Sequence, residues 1–174
     1  MKLLILFILA APLASHAADD PCQSFYDIKE VKAEDTKGHA AIPAYSKAKN
    51  SLNNYATTCA SLKTDPTKIN SDATIAAVRS QSAGAVSDGH DARVALTDAR
   101  KAALDAIDAM SDDAVQKRAG ADGCVKSLQG DLATFKKGLQ NLDTLEGNVA
   151  KCLPGSGPTP LHPNCPIGVT CRGM

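Results

Sequence analysis

The sequence contains few aromatic residues and no tryptophan. Phe and Tyr together make up 3% of the 174 residues, although hydrophobic residues are 44% of the chain. Aromatic side chains are the platforms on which the bases of single-stranded nucleic acids stack. The 19 basic and 19 acidic residues cancel, so the chain has no net charge that would attract DNA, RNA or anionic lipid. The composition therefore argues against nucleic-acid binding.

The N-terminus has the pattern of a secretory signal peptide. Lys2 is followed by an apolar run over residues 3–11 and then by Ser15, His16 and Ala17, a small-x-small cleavage pattern. Because a membrane-spanning helix needs about 20 apolar residues, this run is too short to be an anchor. We predict a signal peptide over residues 1–17, cleavage after Ala17, and a secreted or periplasmic protein without membrane insertion.

All the cysteines follow the predicted cleavage site, and there are six of them: Cys22, Cys59, Cys124, Cys152, Cys165 and Cys171. An even number of cysteines in an exported chain predicts disulfides, here three. Metal binding would require closely spaced Cys or His pairs, whereas the two nearest cysteines, Cys165 and Cys171, have five residues between them. We therefore predict no metal, haem or other cofactor.

Apolar and small residues recur at alternating steps of three and four in three segments, which is the pattern of packed helices. The three seams are Tyr45, Ala48, Leu52, Tyr55, Cys59 and Leu62; then Ile75, Val78, Ser82, Ala85, Gly89, Ala92, Leu96, Ala99, Ala103, Ala106 and Met110; then Val125, Leu128, Leu132, Phe135, Leu139, Leu142 and Val149. They predict an all-α fold with three arms, at residues 21–63, 72–110 and 112–152. Matched lengths and short turns favour an antiparallel three-helix bundle over residues 18–152.

Local signals mark the ends of these arms. Asp20 followed by Pro21 predicts the start of the first helix, and Asp112 predicts a fresh N-cap for the third. Gly38 and Pro43 predict interruptions within the first arm. The last 21 residues hold five Pro and four Gly, so an irregular tail is expected over residues 153–174.

A four-helix bundle is the alternative arrangement, with a turn formed by Ser87, Asp88 and Gly89. The seam continues in phase through Gly89, and a helix tolerates an isolated glycine at a cost of about 1 kcal/mol. One long helix is therefore favoured over two short ones.

The two arrangements predict different disulfides. Cys124 and Cys152 are 28 residues apart, about 42 Å along a helix, so they cannot bond to each other. The three-helix arrangement brings together Cys22 with Cys124 and Cys59 with Cys152. The four-helix arrangement pairs Cys59 with Cys124 and Cys22 with Cys152. Both leave Cys165 and Cys171 to close the tail into a small loop.

An acidic stripe repeats every seven residues along the second arm, at Asp91, Asp98 and Asp105, and a fourth aspartate, Asp112, follows at the same interval. Successive members lie about 10.5 Å apart on a helix, too far to share one ion. Only Asp105, Asp108 and Asp112 have spacings that could converge on a cation. We interpret the stripe as a solvated helix face, with recognition of a basic partner as the alternative.

The sequence contains no pattern typical of an active site. His39, His90 and His162 fall in three different segments, and no GxSxG, HExxH or P-loop motif occurs. Because the cysteines are expected to pair, no thiolate nucleophile is expected either. We predict no catalytic residue and no enzymatic activity.

The segment over residues 55–62, with Tyr55, Cys59 and Leu62, resembles part of the plant invertase and pectin methylesterase inhibitors. The resemblance implies an exported, disulfide-bonded helical bundle. The cysteine that precedes this segment in that family is missing here, and the remaining cysteine spacings differ. No family is assigned on these eight residues.

Together these patterns predict an exported, non-enzymatic helical bundle that serves as a protein-interaction or structural module. Its partner would be another macromolecule, a protein in the first instance. A carrier of a small apolar ligand and a secreted inhibitor of an enzyme are the alternatives. The loop closed by Cys165 and Cys171 would be preorganised for binding, and apolar helix faces leave homodimerisation open.

Overall fold

A computed structural model of the protein describes residues 20–64 and 72–150. A short 3-10 turn, Gln23–Phe25, precedes the first long helix. The helices are α1 (Lys29–Thr64), α2 (Asp72–Ala109), the single-turn α3 (Asp113–Gln116) and α4 (Ala121–Ala150). The described part of the chain is therefore all-helical, with three long helices, as the sequence predicts.

Side-chain contacts fix how the long helices run. Lys37 of α1 binds Asp98 of α2, while Thr58, much later in α1, donates to Gln81, much earlier in α2. These two helices are therefore antiparallel. On α4, Asn141 donates to the Tyr45 hydroxyl of α1.

Helix α4 runs parallel to α1 and antiparallel to α2. Gly38 of α1 lies against Phe135 of α4. Seven residues later in α1, Tyr45 contacts Asn141, which is also later in α4, so the two helices run in the same direction. In contrast, Leu96 of α2 meets Gly138, and Gly89 meets Glu146. The α2–α4 pair is therefore antiparallel, and each long helix packs against the other two.

The predicted seams face the core. All but four of the seam positions with described side chains are buried, and the exceptions, Tyr45, Val125, Leu132 and Leu139, are half-buried. A main core joins α1, α2 and α4 along their length. A smaller core at one end contains Phe25, Val31, Met110 and Leu128.

The helix α2 is continuous through Gly89, so the turn that a four-helix bundle would need at this position does not exist. Gly89 is buried, and Glu146 of α4 lies directly over it, with Oε1 3.3 Å from the place where a Cβ would stand. The missing side chain makes room for a carboxylate of the neighbouring helix. This explains why a glycine occupies this seam position without interrupting the helix.

Two expectations about α1 are wrong. The helix begins at Lys29 rather than at Pro21, because the 3-10 turn intervenes. It also runs through Gly38 and Pro43 without ending. A Cβ on Gly38 would lie 3.2 Å from the Phe135 ring, so this glycine accommodates an aromatic side chain of α4, and Pro43 is exposed, with its ring on the solvent side.

The third arm is divided, which the sequence analysis did not predict. Asp112 does act as an N-cap, and its side chain accepts a hydrogen bond from the Ala114 amide at 2.8 Å. The helix that it caps, however, is only the single-turn α3. Gly120 then adopts φ +89°, a left-handed conformation that favours glycine, and α4 begins at the next residue.

None of the helices in residues 20–64 and 72–150 has the length and apolar character to cross a bilayer. The remaining residues, including the predicted signal peptide and tail, lie outside the described part.

Substitution of two glycines of α4 tests how tightly the helices pack. A Cβ on Gly138 would lie 3.1 Å from both methyl carbons of Leu96, whereas one on Gly130 would meet nothing within 4 Å. We expect Gly130→Ala to raise the free energy of unfolding by about 1 kcal/mol through helix propensity. Gly138→Ala should be at least about 1 kcal/mol less stable than Gly130→Ala, because overpacking costs about 1–3 kcal/mol. Urea denaturation measures both, and equal stabilisation would contradict close packing at Gly138.

Candidate functional site

The end of the molecule where the 3-10 turn meets the start of α4 is fixed covalently. A disulfide joins Cys22 to Cys124, with Cα atoms 4.6 Å apart, across 102 residues of sequence. Both cysteines are buried in the smaller core. This is the pairing that the three-helix arrangement requires, and it leaves Cys124 unavailable to Cys59.

Arg118, in the loop between α3 and α4, binds the same N-terminal turn. Its guanidinium donates two hydrogen bonds to the Asp27 carboxylate, at 2.9 and 3.0 Å, and another to the Ser24 carbonyl. It also lies over the Phe25 ring, 4.6 Å from the centroid. The Arg118 contact holds the pKa of Asp27 below its ordinary value. The turn is thus held by a disulfide, an ion pair and a cation–π contact.

A buried carboxyl group, Glu34, lies close to this end. The residue is 7% exposed, and its Oε1 lies 3.5 Å from the Cβ position of Gly38, beside Phe135 of α4. Burial is the main cause that raises its pKa from 4.5 to about 7, and the negative charges of Asp131 and Asp35 add to the effect. Glu34 is therefore a carboxyl that titrates near neutral pH, a property that often marks functional sites.

Other polar groups surround Glu34 in a small acidic cluster. Tyr26 donates to Asp20, and burial together with this contact raises the pKa of Tyr26. His39 lies 3.2 Å from the Asp35 carboxylate. A hydrogen bond to the Asp35 carbonyl, followed by the charge of Asp35, raises the His39 pKa. Within the described ranges, however, no three ligand-type side chains are arranged to hold a metal ion.

The acidic stripe lies on the surface, as interpreted from the sequence. Asp91, Asp98, Asp105 and Asp112 are all exposed. Asp98 binds Lys37 of α1 at 3.2 Å, and Asp112 caps α3. The three stripe residues on α2 thus lie on its solvent side, and Asp98 and Asp112 also make structural contacts.

The remaining predicted residues are scattered. His90 is exposed on α2, and His162 lies outside the described residues. Cys59 is 1% exposed in the main core and has no disulfide partner among the described residues. Its predicted partner Cys152, and the pair Cys165 and Cys171, lie outside the described part, so these pairings stay predictions.

Sequence analysis missed Glu34, although the seam contained a signal for it. Continuing the steps of three and four backwards from Tyr45 gives Ala41, Gly38, Glu34 and Val31, and all four are buried. A charged residue at a seam position is the exception to search for, because buried charges are rare unless they are paired.

The raised pKa of Glu34 predicts a pH-dependent stability. Between its unfolded value near 4.5 and its folded value of about 7, the folded protein retains a proton that the unfolded chain releases, so stability falls as the pH rises through this window. With allowance for solvent screening, Glu34→Gln should raise the free energy of unfolding by about 1–2 kcal/mol at pH 8 and by almost nothing at pH 4.

Glu30→Gln is the control for this experiment, because it removes the same charge one turn earlier on α1. It should leave the pH dependence in place. Urea denaturation at pH 4, 6 and 8 gives the comparison, and a Glu34→Gln effect that is equal at all three values would refute a neutral carboxyl.

Searches of protein-family models, curated proteins and solved structures each found no match to this chain. No relative therefore supplies a substrate, a partner or an activity, and functional inference depends on the residues and contacts of the chain itself.

Proposed function

We propose that this protein is an exported, non-enzymatic module that binds another protein through the outer face of α2. Its long helices form an antiparallel three-helix bundle over residues 18–152, carrying three disulfides and followed by the tail at 153–174. It acts in the periplasm or the extracellular space, after removal of residues 1–17.

Two independent features support export. The first is the signal pattern of residues 1–17. The second is the buried disulfide between Cys22 and Cys124. Structural disulfides form and persist in oxidising compartments and are rare in the cytosol of mesophiles. Both features therefore support a location outside the cytoplasm.

The side chains exposed on the outer face of α2 support the binding proposal. Between residues 73 and 87 of this helix, the described side chains that are exposed are all small and uncharged: Ala73, Ala76, Ala77, Ser80, Ala83, Gly84 and Ser87. Surface helices ordinarily place charged side chains on the solvent side. Small side chains let another helix approach closely, and they lose little or no rotamer entropy when they are covered. The face is therefore suited to a helical protein partner.

The second half of α2 gives this face a charged border. Asp91, Asp98 and Asp105 are exposed, and Val94 and Leu104 are exposed beside them, at 49% and 46%. Protein interfaces commonly combine an apolar centre with a polar rim. A partner with basic residues flanking an apolar helix would match both halves of α2.

Site-specific photocrosslinking tests the proposed surface. A photoreactive residue in place of Ala83, in the full chain expressed in its own source, should yield a crosslinked protein of one defined mass. Ala76→Glu, one heptad earlier on the same face, should reduce that product about tenfold or more by placing a charge in the interface. The same probe at Lys49, exposed on α1, is the control.

Two results would contradict this surface: no product from position 83, or the same products from position 49. Native mass spectrometry of the same preparation separates the carrier alternative, since a retained small apolar molecule would support a carrier and not a protein-binding module.

Disulfide mapping tests the architecture separately. Peptide mass spectrometry without reduction should find Cys59 linked to Cys152 and Cys165 linked to Cys171, in addition to the Cys22–Cys124 bond. No free thiol should react with an alkylating reagent in denaturant. An alkylated Cys59, or a bond between Cys152 and a tail cysteine, would contradict the predicted Cys59–Cys152 disulfide.

A further inference from the structure

An ion pair marks one edge of the groove between α2 and α4. Arg93 of α2 binds Asp143 of α4 at 2.7 Å, and the two side chains are 38% and 64% exposed, so the pair lies where this groove opens to solvent. Steps of seven and eleven residues return to the same side of a helix, because both are close to whole numbers of turns. We call this edge the α2–α4 rim; its members are Arg93, Arg100 and Leu104 of α2 and Asp143, Lys136 and Leu132 of α4.

One heptad from the ion pair, the rim carries two cations. Arg100 follows Arg93 by seven residues and Lys136 precedes Asp143 by seven, so on antiparallel helices they come level with each other. Both are exposed, and neither forms an ion pair within residues 20–64 and 72–150. On its own helix, neither has an Asp or Glu three or four residues away. The two positive charges therefore stand side by side without an acid of this part of the chain between them.

A carboxylate supplied from outside would suit these two cations. Elsewhere in the bundle a cation that bridges two helices has an acidic partner, as Lys37 of α1 does in Asp98 of α2. At Arg100 and Lys136 the like charges repel each other instead. An arginine holds a carboxylate through two parallel hydrogen bonds, and a lysine adds a compact positive charge. An acidic group placed between them would replace this repulsion by two attractions.

The rim becomes apolar one turn past the cations. Leu104 lies eleven residues after Arg93 and Leu132 eleven residues before Asp143, so the two leucines also come level with each other. Leu104 is 46% exposed, and Leu132 is half-buried. One helical turn is about 5.4 Å long. A ligand that covers both turns therefore needs an acidic group and, about 5–6 Å further along, an apolar group.

An α-helix with an acidic and an apolar residue four positions apart presents the two groups at this spacing. We propose that the α2–α4 rim binds an acidic amphipathic helix of another protein. Its carboxylate lies between Arg100 and Lys136, and its apolar side chain covers Leu104 and Leu132. Docking of an amphipathic helix in a groove is a common mode of protein recognition. The inference depends on two cations that the proposed function does not use, so the two proposals can fail separately.

Fluorescence anisotropy with a synthetic peptide tests this site. The probe is a labelled, alanine-rich helical peptide of about 18 residues that carries Glu and Leu four residues apart along one face. It should bind the oxidised protein saturably, and less tightly as salt is added. Lys136→Glu should lower the affinity at least about tenfold, because the new carboxylate pairs with Arg100 and repels the peptide. Lys137→Glu makes the same charge change at the next exposed residue of α4 and should lower it less than about twofold.

Urea denaturation at low salt separates lost binding from lost folding. Lys136→Glu should form an ion pair with Arg100, so its denaturation midpoint should be at or above that of Lys137→Glu; a lower midpoint would show that the two rim positions do not face each other and would overturn the proposal. No saturable binding, or equal weakening by both variants, would also overturn it. So would equal affinity for a peptide with Ser in place of Leu, since the site would then take any small anion.

Discussion

Close approach of three long helices along seams of small residues is the constraint on which the rest of the structure depends. Ala85, Ala92 and Ala99 are fully buried on α2, and a methyl group added at Gly138 would lie only 3.1 Å from both methyl carbons of Leu96. Small side chains contribute little apolar area each, at about 25 cal/mol per Å². Stability therefore comes from long helices in continuous contact and from covalent closure at the end where the core is smallest.

The same constraint determines how charges are accommodated between the helices. At Gly89, the absence of a side chain admits the Glu146 carboxylate, and Arg93 pairs with it. At Gly38, the Phe135 ring fills the equivalent space, and Glu34 is left among other acids. The first carboxylate forms an ion pair with Arg93, whereas burial raises the pKa of the second to about 7. Two glycines in similar seams thus lead to opposite electrostatic outcomes.

The all-helical class, the number of long helices and the buried side of each could be predicted from the sequence, because steps of three and four persist from Tyr45 to Leu62 and through Gly89. The residues at which the helices begin and end could not be predicted. Asp20 and Pro21 have the chemistry of a helix start, but the chain there is held instead by the disulfide and by Arg118, contacts between segments about 100 residues apart. Glu34 was missed because its environment comes from α4, which no local pattern describes.

Closure by the Cys22–Cys124 disulfide offsets the small apolar area that a core of small residues buries. The most direct measurement is urea denaturation of the oxidised wild type and of the Cys22→Ala/Cys124→Ala double variant, followed by circular dichroism. Loss of a disulfide that closes a loop of this length should lower the free energy of unfolding by about 2–5 kcal/mol. A double variant whose unfolding free energy lies within about 0.5 kcal/mol of the wild type would contradict the account, because the helix seams alone would then suffice.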